Sequence, residues 1–238
     1  LMAADGGDDA AVRSALMSGL LHDVGEMYID PLHGEAEADR DLDFASYQQL
    51  VVHPHVGYLL VAQLTNYPAE VARAIAEHHE RLDQSGYPNA LGGGKMSPQG
   101  RLLGVTEATL NALRSPYSHL LHASVALRAV PGEFDLHWVG KITQAAGAQP
   151  PQSAVLQASE IEQRLAALGG VLAGAEQRVL ALAQVAQLPA MQTALALAQF
   201  LLGRLRMGWN ESGLWNPAAL LSADAAEVEA LEDELYFR

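Results

Sequence analysis

Residues 78–88 read His78-His79-Glu80-Arg81-Leu82-Asp83-Gln84-Ser85-Gly86-Tyr87-Pro88: two adjacent histidines close a helical pattern and run straight into a Gly-Tyr-Pro turn. Val71 and Ile75 precede them at helical spacing, so the same stripe carries the histidines toward a core. Upstream, His22-Asp23 ends an apolar helix built on Val12, Leu16 and Leu20, and His53 stands just before a helix that Pro54 opens. An unpartnered imidazole or carboxylate in such places costs roughly a few kcal/mol in lost hydration, and binding a metal removes that cost. Neighbours on one helix diverge by about 100°, so neither His22-Asp23 nor His78-His79 chelates a single ion simply. Two ions resolve the geometry, with Asp23 bridging them through both oxygens. Ions about 3.5–4 Å apart can activate water for in-line attack on phosphorus, which predicts phosphoester hydrolysis. Glu107 lies four residues after Leu103 and three before Leu110, on the inward stripe of its own helix. It either joins this set or pairs with Arg101 or one of the histidines.

Working outward, strand signals are weak and apolar spacings of three and four recur, so the chain is predicted to be all-helical. A first helix starts near Asp9, with Gly25 as its stop, and residues 26–45 read as an irregular acidic connection. Further helices are expected after His53, from Pro68 and from Ser97-Pro98, with a last pair over 119–146. Gly92-Gly93-Gly94-Lys95 is not a phosphate loop, because Met96 stands where serine or threonine belongs and no strand precedes it. Gln149-Pro150-Pro151-Gln152 reads as a linker between a domain at 1–148 and a helical appendage at 153–238. In the appendage, Ile161, Leu165, Leu168, Leu172, Ala175, Val179 and Leu182 form a seam of about three heptads, which predicts helix pairing within the chain or between chains. Gly169-Gly170 weakens it, Pro189 ends or kinks it, a loop is expected around 209–217, and Ser222 is expected to cap an acidic last helix.

The bulk composition narrows the partners. With 238 residues, half of them apolar, the chain is globular. A net charge of −14 argues against nucleic acid, while small phosphorylated ligands remain compatible if metal ions supply positive charge. Without cysteine, any metal is held by nitrogen and oxygen, a donor set that suits iron, manganese and zinc. No charged residue occurs between Arg178 and Arg204. Gln184, Gln187, Gln192, Gln199 and Pro189 interrupt that run, so a buried helix pair is expected there rather than a membrane span. No signal peptide is visible, and the chain opens on Leu1 rather than methionine, which suggests a fragment. Of the nine histidines, His33, His55, His119, His122 and His137 read as surface or satisfied core residues.

Leu21-His22-Asp23-Val24-Gly25, His53-Pro54-His55-Val56-Gly57, the 78–88 stretch and Arg101-Leu102-Leu103-Gly104-Val105-Thr106-Glu107 together resemble the HD-GYP family over about residues 10 to 145. That family is a branch of the HD-domain metal-dependent phosphohydrolases, and its characteristic substrate is cyclic di-GMP. The resemblance implies an HD-type helical bundle and His22, Asp23, His53, His78 and His79 as ligands of two or three divalent ions, with iron or manganese favoured over zinc. Asp23 would bridge and serve catalysis. The family's later aspartate ligand falls at Glu107. A further histidine ligand is implied at a position preceding Leu1. Where the family usually carries lysine in HD-x-G-K this chain has Glu26, its usual glycine before Ser-Gly-Tyr-Pro is Gln84, and its Arg-Pro-Tyr-Arg type segment is Ser115-Pro116-Tyr117-Ser118. An anion in place of a phosphate-contacting cation opposes a dianionic substrate.

Two functions are therefore expected of a bacterial, cytoplasmic signalling protein. One is a metal-dependent phosphodiesterase acting on cyclic di-GMP or another phosphorylated small molecule. The other is a catalytically degenerate module of the same fold that binds a ligand or partner. Both leave room for a homodimer through the C-terminal helices.

Overall fold

The computed structural model describes residues 1–30, 44–114, 119–149, 154, 156–216, 220 and 223–237. They are helical throughout, with no strand among them, as the periodicity predicts. Two compact units form, Leu1–Leu110 with Gly132–Lys141, and Asn111–Pro131 with Ile142–Arg238. Pro150, Pro151 and Gln152 of the expected linker, Ser115–Ser118 and the expected cap Ser222 lie outside the described residues.

In the first unit α1 spans Asp9–Leu21, α2 Phe44–Leu50, α3 His53–Leu64, α4 Ala69–Glu77 and α5 Pro98–Ala112. The cap of α1 is Asp8, one residue before the sequence expectation; its carboxylate accepts from the Ala11 amide at 2.8 Å. Val61, Val71, Ala72 and Ile75 make a core between α3 and α4, and Met17, Leu21 and Val24 pack on it. Gly25 does not stop α1, which already ends at Leu21; it sits in a 3-10 turn over Val24–Tyr28. The Gly25 turn presses on the start of α3 so closely that a methyl group there would overlap the His53 carbonyl oxygen and lie 2.8 Å from the Gly57 nitrogen. Only glycine permits that approach, and it fixes where His53 stands.

In the second unit α6 (Leu120–Ala126), α8 (Ala158–Val185), α9 (Pro189–Ser212) and α10 (Ala225–Phe237) surround one core, and α7 (Leu136–Gly147) runs from the first unit into the second. Ile161, Leu165, Leu168 and Leu172, the lower half of the predicted seam, bury against Trp209, Leu214, Val228 and Leu235. Gly169 does not break α8, because its missing side chain is where Trp209 packs: an added methyl would meet the indole at 3.4 Å. Trp209 to Ser212, expected in a loop, belong to α9. Asp224 accepts from the Ala226 amide at 2.9 Å and from the Glu227 amide at 3.2 Å, so it caps α10.

The uncharged run overturns one expectation. Its helix pair forms, with Pro189 opening α9, but it is not buried: Leu180, Leu182, Val185, Leu188, Leu197 and Phe200 face water. A two-helix hairpin buries only the stripe where its helices touch, and the outer side chains stay exposed. α8 is long and apolar enough to cross a membrane by length and composition, with 17% of the qualifying window buried.

Candidate metal centre

Three helix ends build this site. His22 follows α1, His53 follows α2 and His78 follows α4. Each turns its Nδ1–H back onto a main-chain carbonyl three residues earlier: His22 to Gly19 at 2.8 Å, His53 to Leu50 at 2.7 Å and His78 to Ile75 at 2.6 Å. Carbonyls at a helix C-terminus lack intrahelical partners, so each histidine caps its helix. A carbonyl can only accept, so Nδ1 carries the proton in all three rings and Nε2 is the atom presented inward. The negative dipole ends of α1 and α4 thereby lie at His22 and His78, which favours a cation, while at His53 the end of α2 and the start of α3 offset each other.

The inward atoms are spaced as shared ligands are. His53 Nε2 and His78 Nε2 lie 3.2 Å apart, and Asp23 Oδ1 is 3.6 Å from the first and 3.5 Å from the second. Donors about 2.1 Å from one ion sit about 3.0–3.4 Å from each other, in octahedral and tetrahedral geometry respectively. Asp23 Oδ1 is buried and makes no hydrogen bond. Two nitrogen lone pairs and a carboxylate oxygen facing one another repel unless a proton or a metal ion stands between them, so this donor set fits a divalent cation. His79 joins Asp23, His53 and His78 in one group, and His22, Asp23 and Glu107 make a second that shares Asp23. Glu107 Oε2 lies 3.7 Å from His78 Nε2 and 4.0 Å from both His22 Nε2 and His79 Nε2. Glu107 thus lies among the histidines, an arrangement that both sequence readings of it allow.

Electrostatics of the metal-free cluster follow from Asp23. Burial opposes charge on His22, but the Asp23 carboxylate at 3.0 Å and the Glu107 charge outweigh it and push the imidazole up to about 9. Burial likewise opposes the Asp23 charge, and the imidazoles of His22 and His78 beside it hold its carboxyl well below the usual carboxylate range.

The turn after His79 is tied down by two carboxylates that the sequence reading did not single out. Glu80, 1% exposed, accepts from the main-chain amides of Asn89 and Leu91, both at 2.7 Å. The loop is thereby folded back so that the Tyr87 ring stacks on His79, with centroids 4.5 Å apart and planes 20° apart. Gly86 is required for that fold, since a methyl group there would overlap the His79 carbonyl oxygen. Glu77 accepts from the amide and hydroxyl of Ser97 and from Arg73, joining the end of α4 to the start of α5. Gly104 then brings α5 against His78, where a methyl would sit 3.0 Å from the carbonyl oxygen, and Glu107 lies three residues further on. The available signal was position: acids within three residues of two inward histidines, on a helix end that must turn.

All six sequence-selected residues converge here. Of the other histidines, His55 is exposed and stacks on Tyr58, His119 and His122 neighbour each other, and His137 binds Asp5 at 2.8 Å. His33 lies outside the described residues. Glu26 is half-buried in the 3-10 turn, its amide bonded to the Asp23 carbonyl at 2.9 Å.

A bundle whose helix ends present a His-Asp pair and three further histidines defines a class of metal-binding helical domain. The HD-domain family model matches residues 1–135, and the chain belongs to that family. It is also 30% identical over 148 residues to a cyclic di-GMP phosphodiesterase of Pseudomonas aeruginosa. That alignment covers 60% of this chain and 35% of the relative, so the chain spans about a third of that protein's length. No solved structure matches.

Proposed function

We propose that this chain is an HD-GYP-type phosphodiesterase module that hydrolyses cyclic di-GMP or a related phosphodiester in bacterial signalling. The observation that carries this reading is the convergence of Asp23, Glu107 and four histidine Nε2 atoms beneath the loop that Gly86, Tyr87 and Pro88 form. In this reading His53, His78, His79 and Asp23 would hold one divalent ion and His22, Asp23 and Glu107 a second, with Asp23 common to both sets; iron or manganese is favoured and zinc is compatible. When bound, the ions supply a nucleophile from water and stabilise charge on the phosphoryl oxygens. The chain's own part is to fix the donors. Main-chain carbonyls set the tautomers, Tyr87 orients His79, and Glu80 holds Tyr87 in place. Two divalent ions against Asp23 and Glu107 leave two positive charges facing an anionic phosphodiester. The module is proposed to comprise residues 1–148, to work in the cytoplasm and to associate as a homodimer through the C-terminal helices.

A second reading has one observation in its favour. Glu26 stands three residues after Asp23 and subtracts a charge from the face that must attract phosphate. On this reading the fold and a metal are retained, and the module binds a ligand or partner without turnover.

Metal content of the purified chain and turnover of cyclic di-GMP and an aryl phosphodiester, each compared with Asp23→Ala, separate the two readings. The enzyme reading expects at least one tightly bound transition metal per chain and a rate that Asp23→Ala abolishes. Bound metal with equal rates in both proteins leaves only the binding reading. Glu26→Lys is expected to tighten binding of cyclic di-GMP to the metal-loaded protein about tenfold, as one removed repulsion and one added attraction near the site would do.

A further inference from the structure

We propose that the tip of the α8–α9 hairpin, beyond the ion pair of Glu176 and Arg206, is the face on which two copies of this chain associate. This assignment narrows the proposed homodimer to one surface and is independent of the metal chemistry. Glu176 and Arg206 clamp the two helices with a two-pronged pair at 2.7 and 2.6 Å. Below that clamp the heptad seam is used up inside the chain, from Ile161 to Leu172. Above it Val179, Leu195 and Ala198 are half-buried, and Leu202 packs on the second unit's core. The remaining apolar side chains point outward: Leu180 is 61% exposed, Leu182 50%, Val185 64%, Leu188 63%, Leu197 57% and Phe200 41%.

Apolar extent and charge both point to a second copy as the occupant. With Met191 and Leu201, which are also exposed, these side chains leave the tip apolar on more than one side, so a second hairpin laid along it finds apolar surface to bury. No charged residue lies between Arg178 and Arg204, whereas the whole chain carries −14. Two such chains repel across most of their surfaces, and here they meet without a charge on either side. Two hairpins laid tip against tip about a two-fold axis make a four-helix bundle in which the same patch serves both copies. Lipid fits less well, because Gln184, Gln187, Gln192, Thr193 and Gln199 would enter hydrocarbon, whereas in a bundle they can remain at a wet rim.

The test is the mass of the 238-residue chain in solution, by light scattering or sedimentation equilibrium at tens of micromolar. The native chain is expected at twice 25.4 kDa. The double variant Leu182→Glu/Leu197→Glu is expected to weaken the dimer at least about 100-fold by burying like charges, with helical content unchanged because both side chains already face water. Val171→Glu, exposed on α8 below the clamp, is expected to leave the dimer intact. A monomeric native chain overturns the homodimer itself, as does flotation of the native chain as a monomer with neutral phosphatidylcholine vesicles. A dimer that survives the double variant, or one that Val171→Glu dissociates, overturns the tip assignment and leaves the homodimer standing.

Discussion

His53 and His78 hold their Nε2 atoms 3.2 Å apart while each Nδ1 is committed to a main-chain carbonyl. Neither ring can flip to relieve the contact without uncapping a helix. The pair is thus pre-set to share something positively charged, and His22 beside it already takes up a proton in the metal-free state.

That proton gives a pH prediction. His22 is pushed up to about 9 in the metal-free fold, against 6.5 ordinarily. A histidine raised on folding contributes stability that is fully present below 6.5 and is lost as pH climbs through about 9. Thermal stability of the metal-free chain should fall across that window, and His22→Gln should flatten the decline. Metal binding at pH 8 should also displace a proton, seen by calorimetry as an enthalpy that changes with the buffer's ionisation heat. Equal enthalpies in two such buffers would contradict this.

Gly25→Ala should act on the site through backbone. The new methyl overlaps the His53 carbonyl oxygen, and the loss is expected to be about 1–3 kcal/mol of stability together with weaker metal binding. Gly140→Ala, inside α7 with nothing within 4 Å of the added carbon, is the control and should stabilise by up to about 1 kcal/mol. Urea unfolding and a metal titration of both variants decide the matter; comparable metal affinities would mean that His53 is not held by this contact.

For Glu80, the isosteric amide is the informative change. Gln has one acceptor oxygen for two amide donors, so Glu80→Gln sets its own N–H₂ against either Asn89 or Leu91. We expect a cost of about 1–3 kcal/mol and, because Tyr87 loses its support, a lower metal affinity. Tyr87→Phe keeps the stacking ring on His79 and should retain metal binding. If Tyr87→Phe loses as much metal as Glu80→Gln, stacking is not what Glu80 preserves.

In the second unit, Glu232 is fully buried and the half-exposed Arg164 reaches it at 2.9 Å. Burial pushes the Glu232 carboxyl up from 4.5, with Arg164 opposing. A carboxylate raised on folding is no burden while protonated and destabilises increasingly as pH rises through its folded value. Glu232→Gln should therefore stabilise at neutral pH and lose that advantage in acid. Arg164→Ala should cost about 1–3 kcal/mol at pH 7, and Glu232→Gln should restore most of it. Additive effects in the double variant would show that the two side chains do not interact.

How much of this was legible in sequence depended on whether the cue was local. Pro54, Pro68 and Ser97-Pro98 mark helix starts because capping and a fixed φ act over a single turn, and α3, α4 and α5 begin there. The inward course of Glu107 was legible from Leu103, four residues earlier and buried with it, whereas Leu110, the other residue of the expected stripe, is 56% exposed. The carboxylates Glu77 and Glu80 were not, because the hydrogen bonds by which they tie loops, Glu80 to Asn89 and Glu77 to Ser97, span 9 and 20 residues. The exposure of the hairpin tip was not either. Apolar periodicity says which side chains need cover, and whether another element supplies it is decided by tertiary structure.

The histidine caps bear on how such a protein changes over time. His22, His53 and His78 each end or join a helix as well as facing the centre, so losing any of them removes a helix stop from the fold. Selection for folding alone therefore acts on these three positions whether or not the centre turns over a substrate, and their presence speaks for the scaffold before it speaks for any chemistry.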